Sequence, residues 1–592
     1  MRLPRPRTIE ALGAFALALL ALIVLLPGTA TLPLLDRDEP RFSRATIEMI
    51  ERGDWVVPWF NGEHRFDKPI LTYWLMRAGY ALAGRTELGA RVHSVVAAAL
   101  VTVLLHAMAA RWWSPAAGMA AALTWLFSLQ VFIHGRAAVA DMPMVLAVTA
   151  SHYALWNLLG GKGGGPRRGW WWLLWISLGL GFLAKGPVAL LVPLVTLALW
   201  RWGFERHPVP WRRLDAVRGL LVMLAVIAPW GLLALARTGG AFGRVGLGYH
   251  VVRRGLEAFD GRPFIPFYYV PTALFSYFPW IAWLGAAILV ARRERSPLVN
   301  FLLSWWCSPY LIFFAYTTQL PHYILPGMPA FFLLLGRAAD PTAGLFARGA
   351  GELPRWVRRW RAAVIVFGGL WIVLAAVAGW TARGDPWFGP LAPLLWGLSI
   401  LCAGLLTALW LYPRPSSPVM VTAVVLLALG GGLFARSLRQ LSAGPALQAI
   451  LGPLPDNVEC IWHRYQEPST VYYTGHRWRA LGGIEEIRDR MRAPGPRVVL
   501  AAAERLDVDD ELRHRLAERG WGPPKRARTD WSEEVARLGL PGYRRRDLRV
   551  FVVGTGSWYT LAVFDNLQSV AGRNVAELDA AVRQPSRPGG GS

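Results

Sequence analysis

Asp38 and Asp141 each stand at the edge of a long apolar run with cations close by: Arg41 and Arg44 follow Asp38-Glu39-Pro40, and Arg136 precedes Asp141. Asp67-Lys68-Pro69, Lys185-Gly186-Pro187, His250 with Arg253 and Arg254, and Gln319 to Tyr323 likewise place polar side chains between apolar stretches. Ionisable groups beside hydrocarbon are costly, and where they collect they tend to be functional. A carboxylate can orient or deprotonate an attacking group, and cations can neutralise an oxyanion as it forms. Collected at one interface, these residue types suit group-transfer chemistry and point to a membrane-embedded enzyme.

Taken singly, each has a plainer reading. Asp38-Glu39 and Asp141 fit the first turn of a helix, where carboxylates complement the helix dipole. Asp67-Lys68 reads as a surface ion pair of little energetic weight, and Lys185 as a lysine whose stem lies in hydrocarbon while its ammonium reaches water. His250, Arg253 and Arg254 fit a basic interfacial segment facing anionic lipid. The functional reading rests on the set.

The elements that must position this set are transmembrane helices. Hydrophobic residues make up 54% of the 592, and mean hydropathy is +0.33, which excludes an ordinary soluble protein. Apolar runs near 10–28, 88–110, 116–133, 139–159, 170–184, 186–201, 216–236, 268–290, 297–316, 323–337, 361–380, 390–411 and 418–435 give about thirteen spans. Arg2, Arg5 and Arg7, then Lys162 to Arg168, Arg206 to Arg218, Arg292 to Arg295 and Arg355 to Arg361 fall in alternate loops. That places the N-terminus in the cytoplasm and the polar set on the outer face. The net charge of +25 is then a topology signal with attraction to anionic headgroups, and no nucleic-acid partner is expected. Three cysteines, Cys307, Cys402 and Cys460, suggest neither a stabilising disulfide nor a cysteine metal site.

The predicted fold is a polytopic α-helical membrane protein with a small C-terminal α/β soluble domain. Residues 1–440 form the membrane domain, with outside loops 31–87 and 237–267. In the first loop Phe42 to Ile50 has the spacing of an amphipathic helix lying in the interface. Residues 445–553 form an extracytoplasmic α/β domain, with strands at Val498 to Ala502 and Val550 to Val553 and helices at Ile484 to Met491 and Asp510 to Arg519. Residues 554–592 are a C-terminal segment whose end, Gln584 to Ser592, has the composition of a flexible tail.

Four runs carry a family resemblance. Asp38-Glu39-Pro40-Arg41-Phe42 with Glu48-Met49, Gly53-Asp54-Trp55, Asn61-Gly62 and Phe66-Asp67-Lys68-Pro69 resembles the first outside loop of bacterial aminoarabinose transferases and protein O-mannosyltransferases. Arg136 to Pro143, Gly181 to Pro187 and Gln319 to Pro326 resemble later motifs of the same family, in the same order, over about the first 340 residues. These are membrane glycosyltransferases of the GT-C class that use polyprenyl-phosphate sugars. The resemblance implies that Asp38 is the essential first-loop aspartate, with Glu39 beside it, and that Asp141 is a second important acid. It implies a donor phosphate held by Lys68, Arg41, Lys185 and either Arg253 or Arg254, and a substrate cavity reached by Gln319, His322 and Tyr323. Asp67 stands where aminoarabinose transferases carry a glutamate that joins a histidine in a divalent-metal site; His250 is the candidate partner here. Gln319 replaces a lysine common in the family.

On these residues the expected activity is transfer of a sugar from a polyprenyl-phosphate donor to an extracytoplasmic acceptor, with inversion and without a nucleotide cofactor. The acceptor is a lipid A-like glycolipid, another envelope glycan or a protein hydroxyl. A transporter or lipid flippase is the rival from another class, but it would carry ionisable or broken-helix features near mid-membrane and often a repeat. Here Leu, Val, Ala and Trp dominate mid-span. The expected location is the inner membrane.

Overall fold

The computed structural model describes residues 6–35, 37–160, 167–204, 210–253, 265–314, 316–343, 353–385, 388–412, 417–508, 510, 511, 514 and 528–567. It divides into two compact units. One comprises Met1–Ala30, Met49–Pro58 and His64–Phe434; the other comprises Thr31–Glu48, Trp59–Glu63 and Ala435–Ser592.

The first unit is a helix bundle. Its helices form over the apolar runs because a spanning segment must satisfy every backbone polar group internally. Among the described residues six helices are long and apolar enough to cross a membrane, or seven if one bent pair is a single span. That is fewer than the thirteen apolar runs, for reasons visible in the backbone. Residues 268–290 bend by 111° between Tyr269–Ser276 and Trp280–Glu294. Residues 116–133 break into Pro115–Leu126 and Leu129–His134, and 323–337 begins as a 3₁₀ turn, Pro321–Gly327, before the helix Met328–Ala339. The chain is a multi-pass membrane protein. Tight packing uses small residues, as is usual between membrane helices: a Cβ on Gly336 would lie 2.5 Å from the Ala117 carbonyl of the helix Pro115–Leu126. The helix Asp141–Leu159 packs along Arg167–Lys185, which brings the start of one beside the end of the other.

The helix Leu71–Ala83, inside the expected loop 31–87, was not marked by the apolar runs. At 13 residues it is about 20 Å long, too short for a span.

The second unit is an α/β sheet in the order Trp478–Ala480, Glu459–His463, Arg497–Asp507, Ser557–Asp565, Arg544–Val552, with Arg528–Asp530 paired to the long central strand. The first three strands run parallel and the last pairings are antiparallel. Alternation divides the central strand: Val498, Leu500 and Ala502 join one core with Trp462 and Leu447, while Val499, Ala501 and Ala503 join another with Ile487 and Val535. The strand Ser557–Asp565 lies beyond the 553 boundary expected from composition. Of the expected helix Asp510 to Arg519, residues 512, 513 and 515–519 lie outside the described residues, as does the tail 568–592.

Two stretches of the first outside loop belong to this sheet unit. Asn61 and Gly62 both adopt positive φ, 56° and 82°, the Asn-Gly pattern of a tight hairpin turn. The Asn61 side chain donates to the Trp478 carbonyl and accepts from the Trp478 N–H, both at 2.8 Å, and so covers an edge strand that would otherwise be a template for mispairing. The helix Asp38–Glu51 was expected to lie with one face in the interface; instead Phe42 to Met49 are all buried. Within it Glu48 accepts from Arg44 and from the backbone N–H groups of Asn61 and Gly62.

Candidate active site

Three helix ends and one turn bring four titratable side chains of the membrane unit together. Asp141 opens the helix Asp141–Leu159, Lys185 closes Arg167–Lys185, His134 closes Leu129–His134, and His322 sits in the turn Pro321–Gly327. The helix dipole favours an acid at a start and a base at an end, so Asp141 and Lys185 are each placed where the backbone supports the charge. Gly186, at φ 78°, ends the lysine's helix in a left-handed conformation natural to glycine, and its N–H returns to the Phe182 carbonyl at 2.7 Å. This leaves Lys185 as the last helical residue.

The Lys185 ammonium donates to Asp141 Oδ1 at 2.5 Å. His322 Nε2 lies 4.0 Å from the same oxygen, and the His134 and His322 rings are 5.0 Å apart. Tyr323 forms a wall: its ring centroid is 5.8 Å from the lysine nitrogen and its plane stands perpendicular to His322. Asp141 is 5% exposed. Burial holds the His322 imidazole well below its ordinary pKa, at about 3, despite the opposing attraction of Asp141; Lys185, His134 and Lys68 act in the same direction as burial. Lys68 is therefore within electrostatic reach of the cluster. One carboxylate thus faces an ammonium, a neutral imidazole at His322 and a second imidazole at His134.

The remaining predicted residues separate by place. Asp67 pairs with the buried Arg65 at 2.9 Å, and Arg65 also donates to Tyr73 at 3.1 Å. Arg65 supplies at Asp67 the positive charge that a metal ion would supply, so this carboxylate suits a metal less well than the sequence implied. Gln319 accepts from the Ile265 N–H at 3.0 Å and so tethers the end of the loop 237–267. The side chains of His250 and Arg253, and all of Arg254, lie outside the described residues. In the other unit Asp38 is exposed and Arg41 half-buried, while Glu39 is buried and accepts from the Leu35 N–H at 2.8 Å. Arg136 donates to the Pro27 carbonyl and lies over the Phe132 ring.

Sequence reading missed His134 and Arg65. His134 lies just ahead of the Arg136 to Pro143 motif, and that adjacency was its available signal. Nothing local marks Arg65, whose partners are Asp67 and Tyr73.

Residues 67–232 match the family model described as dolichyl-phosphate-mannose-protein mannosyltransferase. The undecaprenyl phosphate-alpha-4-amino-4-deoxy-L-arabinose arabinosyl transferase of Pseudomonas paraeruginosa is 32% identical over 408 residues, spanning 64% of this chain and 72% of that one. The protein of the same name from Edwardsiella ictaluri is 32% identical over 394 residues, spanning 64% and 67%. Among solved structures, ArnT from Cupriavidus metallidurans bound to undecaprenyl phosphate aligns over 95% of this chain and 99% of that one, with a TM-score of 0.69 at 19% identity. The shared architecture is the GT-C fold, with helices in the membrane and a small sheet domain after them. By its identity to these relatives over most of their length, the chain belongs to the undecaprenyl-phosphate aminoarabinose arabinosyl transferase family.

Proposed function

We propose that this protein is an integral membrane glycosyltransferase that moves an aminopentose from undecaprenyl phosphate to an envelope acceptor of the lipid A class. Family membership supports the donor. The observation that carries the reading at the level of residues is the Asp141–Lys185 contact at 2.5 Å with His322 and His134 beside it. This is an ion pair flanked by imidazoles at helix ends, where the phosphate of a lipid carrier would rest beside Lys185, rather than a charge at mid-span of the kind a transporter would use.

The acceptor oxygen attacks the anomeric carbon while the bond from that carbon to the phosphate oxygen breaks, and undecaprenyl phosphate leaves. Lys185, Lys68 and one of Arg253 and Arg254 stabilise the charge that grows on the leaving phosphate. Asp141 holds Lys185 in place. Asp38, the exposed acid of its helix, orients the acceptor; Glu39 fixes the backbone that presents it. A lipid A phosphate is already ionised at neutral pH, so it needs orientation and no general base. That suits a site whose buried aspartate is already engaged by lysine. The distribution of arginines supports a cytoplasmic N-terminus, with this chemistry and the sheet unit on the outer face of the inner membrane.

The test is transfer by the purified chain in lipid, followed by mass spectrometry of the acceptor. The reading expects product with the undecaprenyl-phosphate sugar. Product from a water-soluble nucleotide sugar alone would refute it.

A further inference from the structure

We propose that the groove between the helices Leu284–Glu294 and Arg355–Ala382 holds one anionic phospholipid of the bilayer, with an acyl chain along the groove and the headgroup phosphate on Arg292 and Arg359. The groove has a volume of about 480 Å³, and Leu284, Ile288, Trp356, Trp360 and Ala363 give it apolar walls. Its two sides are held together. The helices meet at Gly285, where a Cβ would stand 3.1 Å from Val357 Cγ1, the close approach that small residues allow between membrane helices. Trp360 donates to the Ile281 carbonyl at 2.9 Å. Trp356 is 40% exposed, so the groove opens outward, on a helix apolar and long enough to span the membrane.

Spacing gathers charge at one end. Leu284, Ile288 and Arg292 recur every fourth residue and so share a face of their helix. The Arg292 guanidinium lies 5.6 Å from the centre of the Trp356 ring, and Arg359 lines the groove itself. Glu294, the acid nearest Arg292 in sequence, is engaged by Arg337 at 2.6 Å, and among the described residues no carboxylate pairs with Arg292 or Arg359. Arg361, by contrast, is committed to the Leu409 and Trp410 carbonyls. An apolar slot that ends at two guanidiniums and a tryptophan matches the parts of one lipid: hydrocarbon for the slot, a phosphate for the planar cations, and a ring for the headgroup boundary. A choline lipid offers the same chain but brings its own cation, so charge complementarity selects an anionic headgroup. This rests on the chain lying in a membrane and not on the proposed function.

The experiment uses the full chain, purified in detergent and washed free of copurified lipid. It is titrated with dioleoyl phosphatidylglycerol or dioleoyl phosphatidylcholine and followed by native mass spectrometry and thermal unfolding. Phosphatidylglycerol should bind roughly tenfold more tightly than phosphatidylcholine and raise the melting temperature as its concentration rises. Arg292→Gln and Arg359→Gln, each eluting as a single species, should each weaken phosphatidylglycerol binding by about fivefold and leave phosphatidylcholine binding as it was. Ala363→Trp, which fills the groove from an exposed position, should weaken both lipids. Lys185→Gln, at the Asp141 cluster, should change neither. Equal binding of the two lipids, or unchanged phosphatidylglycerol binding in either arginine variant or in Ala363→Trp, would overturn the proposal. Loss of the lipid in Lys185→Gln would also overturn it, by placing the lipid at the Asp141 cluster. So would full displacement by glycerol phosphate, the mark of a headgroup site that makes no use of the groove. A chain that binds the lipid as described but transfers no sugar would refute the functional reading and leave this one standing.

Discussion

The two ends of the helix Met328–Ala339 are both tied by ions, and they are tied differently. At its C-terminal end Arg337 donates to Glu294 at 2.6 Å and to Asp340 at 3.2 Å, Ser114 donates to Asp340 at 2.9 Å, and the Thr342 N–H closes onto Asp340 at 2.9 Å. Two carboxylates there meet one guanidinium and two neutral partners, and Ser114 also caps the helix Pro115–Leu126 by accepting from Ala117. At the other end, where the turn Pro321–Gly327 leads in, one carboxylate is shared by an ammonium and two imidazoles. The first arrangement is saturated by its own hydrogen bonds and holds helices together. The second is one ion pair, Asp141 with Lys185, flanked by two imidazoles that are not committed to holding helices together. The same devices, charges at helix ends, make a clamp when all of them hold helices together and a receptive site when some do not.

Substitutions separate the two. Asp141→Asn should lower transfer by about two to four orders of magnitude in a donor-saturated assay, because Lys185 loses the carboxylate that holds it, while the protein remains monodisperse. Full activity with a lowered melting temperature would make this end a clamp as well. Asp340→Ala should do the reverse, with stability down by about 1–3 kcal/mol in thermal unfolding and transfer at a permissive temperature within about twofold. This end also carries a pH signature. Burial alone would raise the Asp340 carboxyl, but the Thr342 N–H and hydroxyl, the Ser114 hydroxyl and Arg337 together hold it below the usual carboxylate range. Its contribution is therefore complete above the unfolded value of about 3.9 and fades as pH falls through the lower folded value. Thermal scans from neutral to acid pH should show this loss in the unaltered chain and not in Asp340→Ala. The smallest effect belongs to the exposed pair Arg218–Asp215, 3.3 Å apart: Arg218→Gln should change stability by less than about 0.5 kcal/mol.

Much of the architecture was readable because membrane helices announce themselves. Long apolar runs form helices wherever the backbone has no water to bond, and Asp141 and Lys185 stood out as charges at the ends of such runs. What local pattern could not convey was long-range. Residues near Asp38 join a sheet unit whose strands begin at Glu459, through pairings such as Asn61 with Trp478. Nothing in the sequence links His134 to His322, 188 positions later; their rings meet only in the fold, 5.0 Å apart. The strand Ser557–Asp565 lies past the expected boundary at 553, although Trp558, Tyr559, Thr560 and Val563 suit a strand.

The central claim is that this chain adds a lipid-carried aminopentose to an envelope acceptor. It is tested most directly in a bacterium that makes the undecaprenyl-phosphate donor but lacks its own aminoarabinose transferase, by mass spectrometry of its lipid A. The account predicts an added aminopentose when the unaltered chain is expressed and none with Asp38→Asn at equal abundance. Lipid A left unmodified by the unaltered chain, or modified equally by Asp38→Asn, would contradict it.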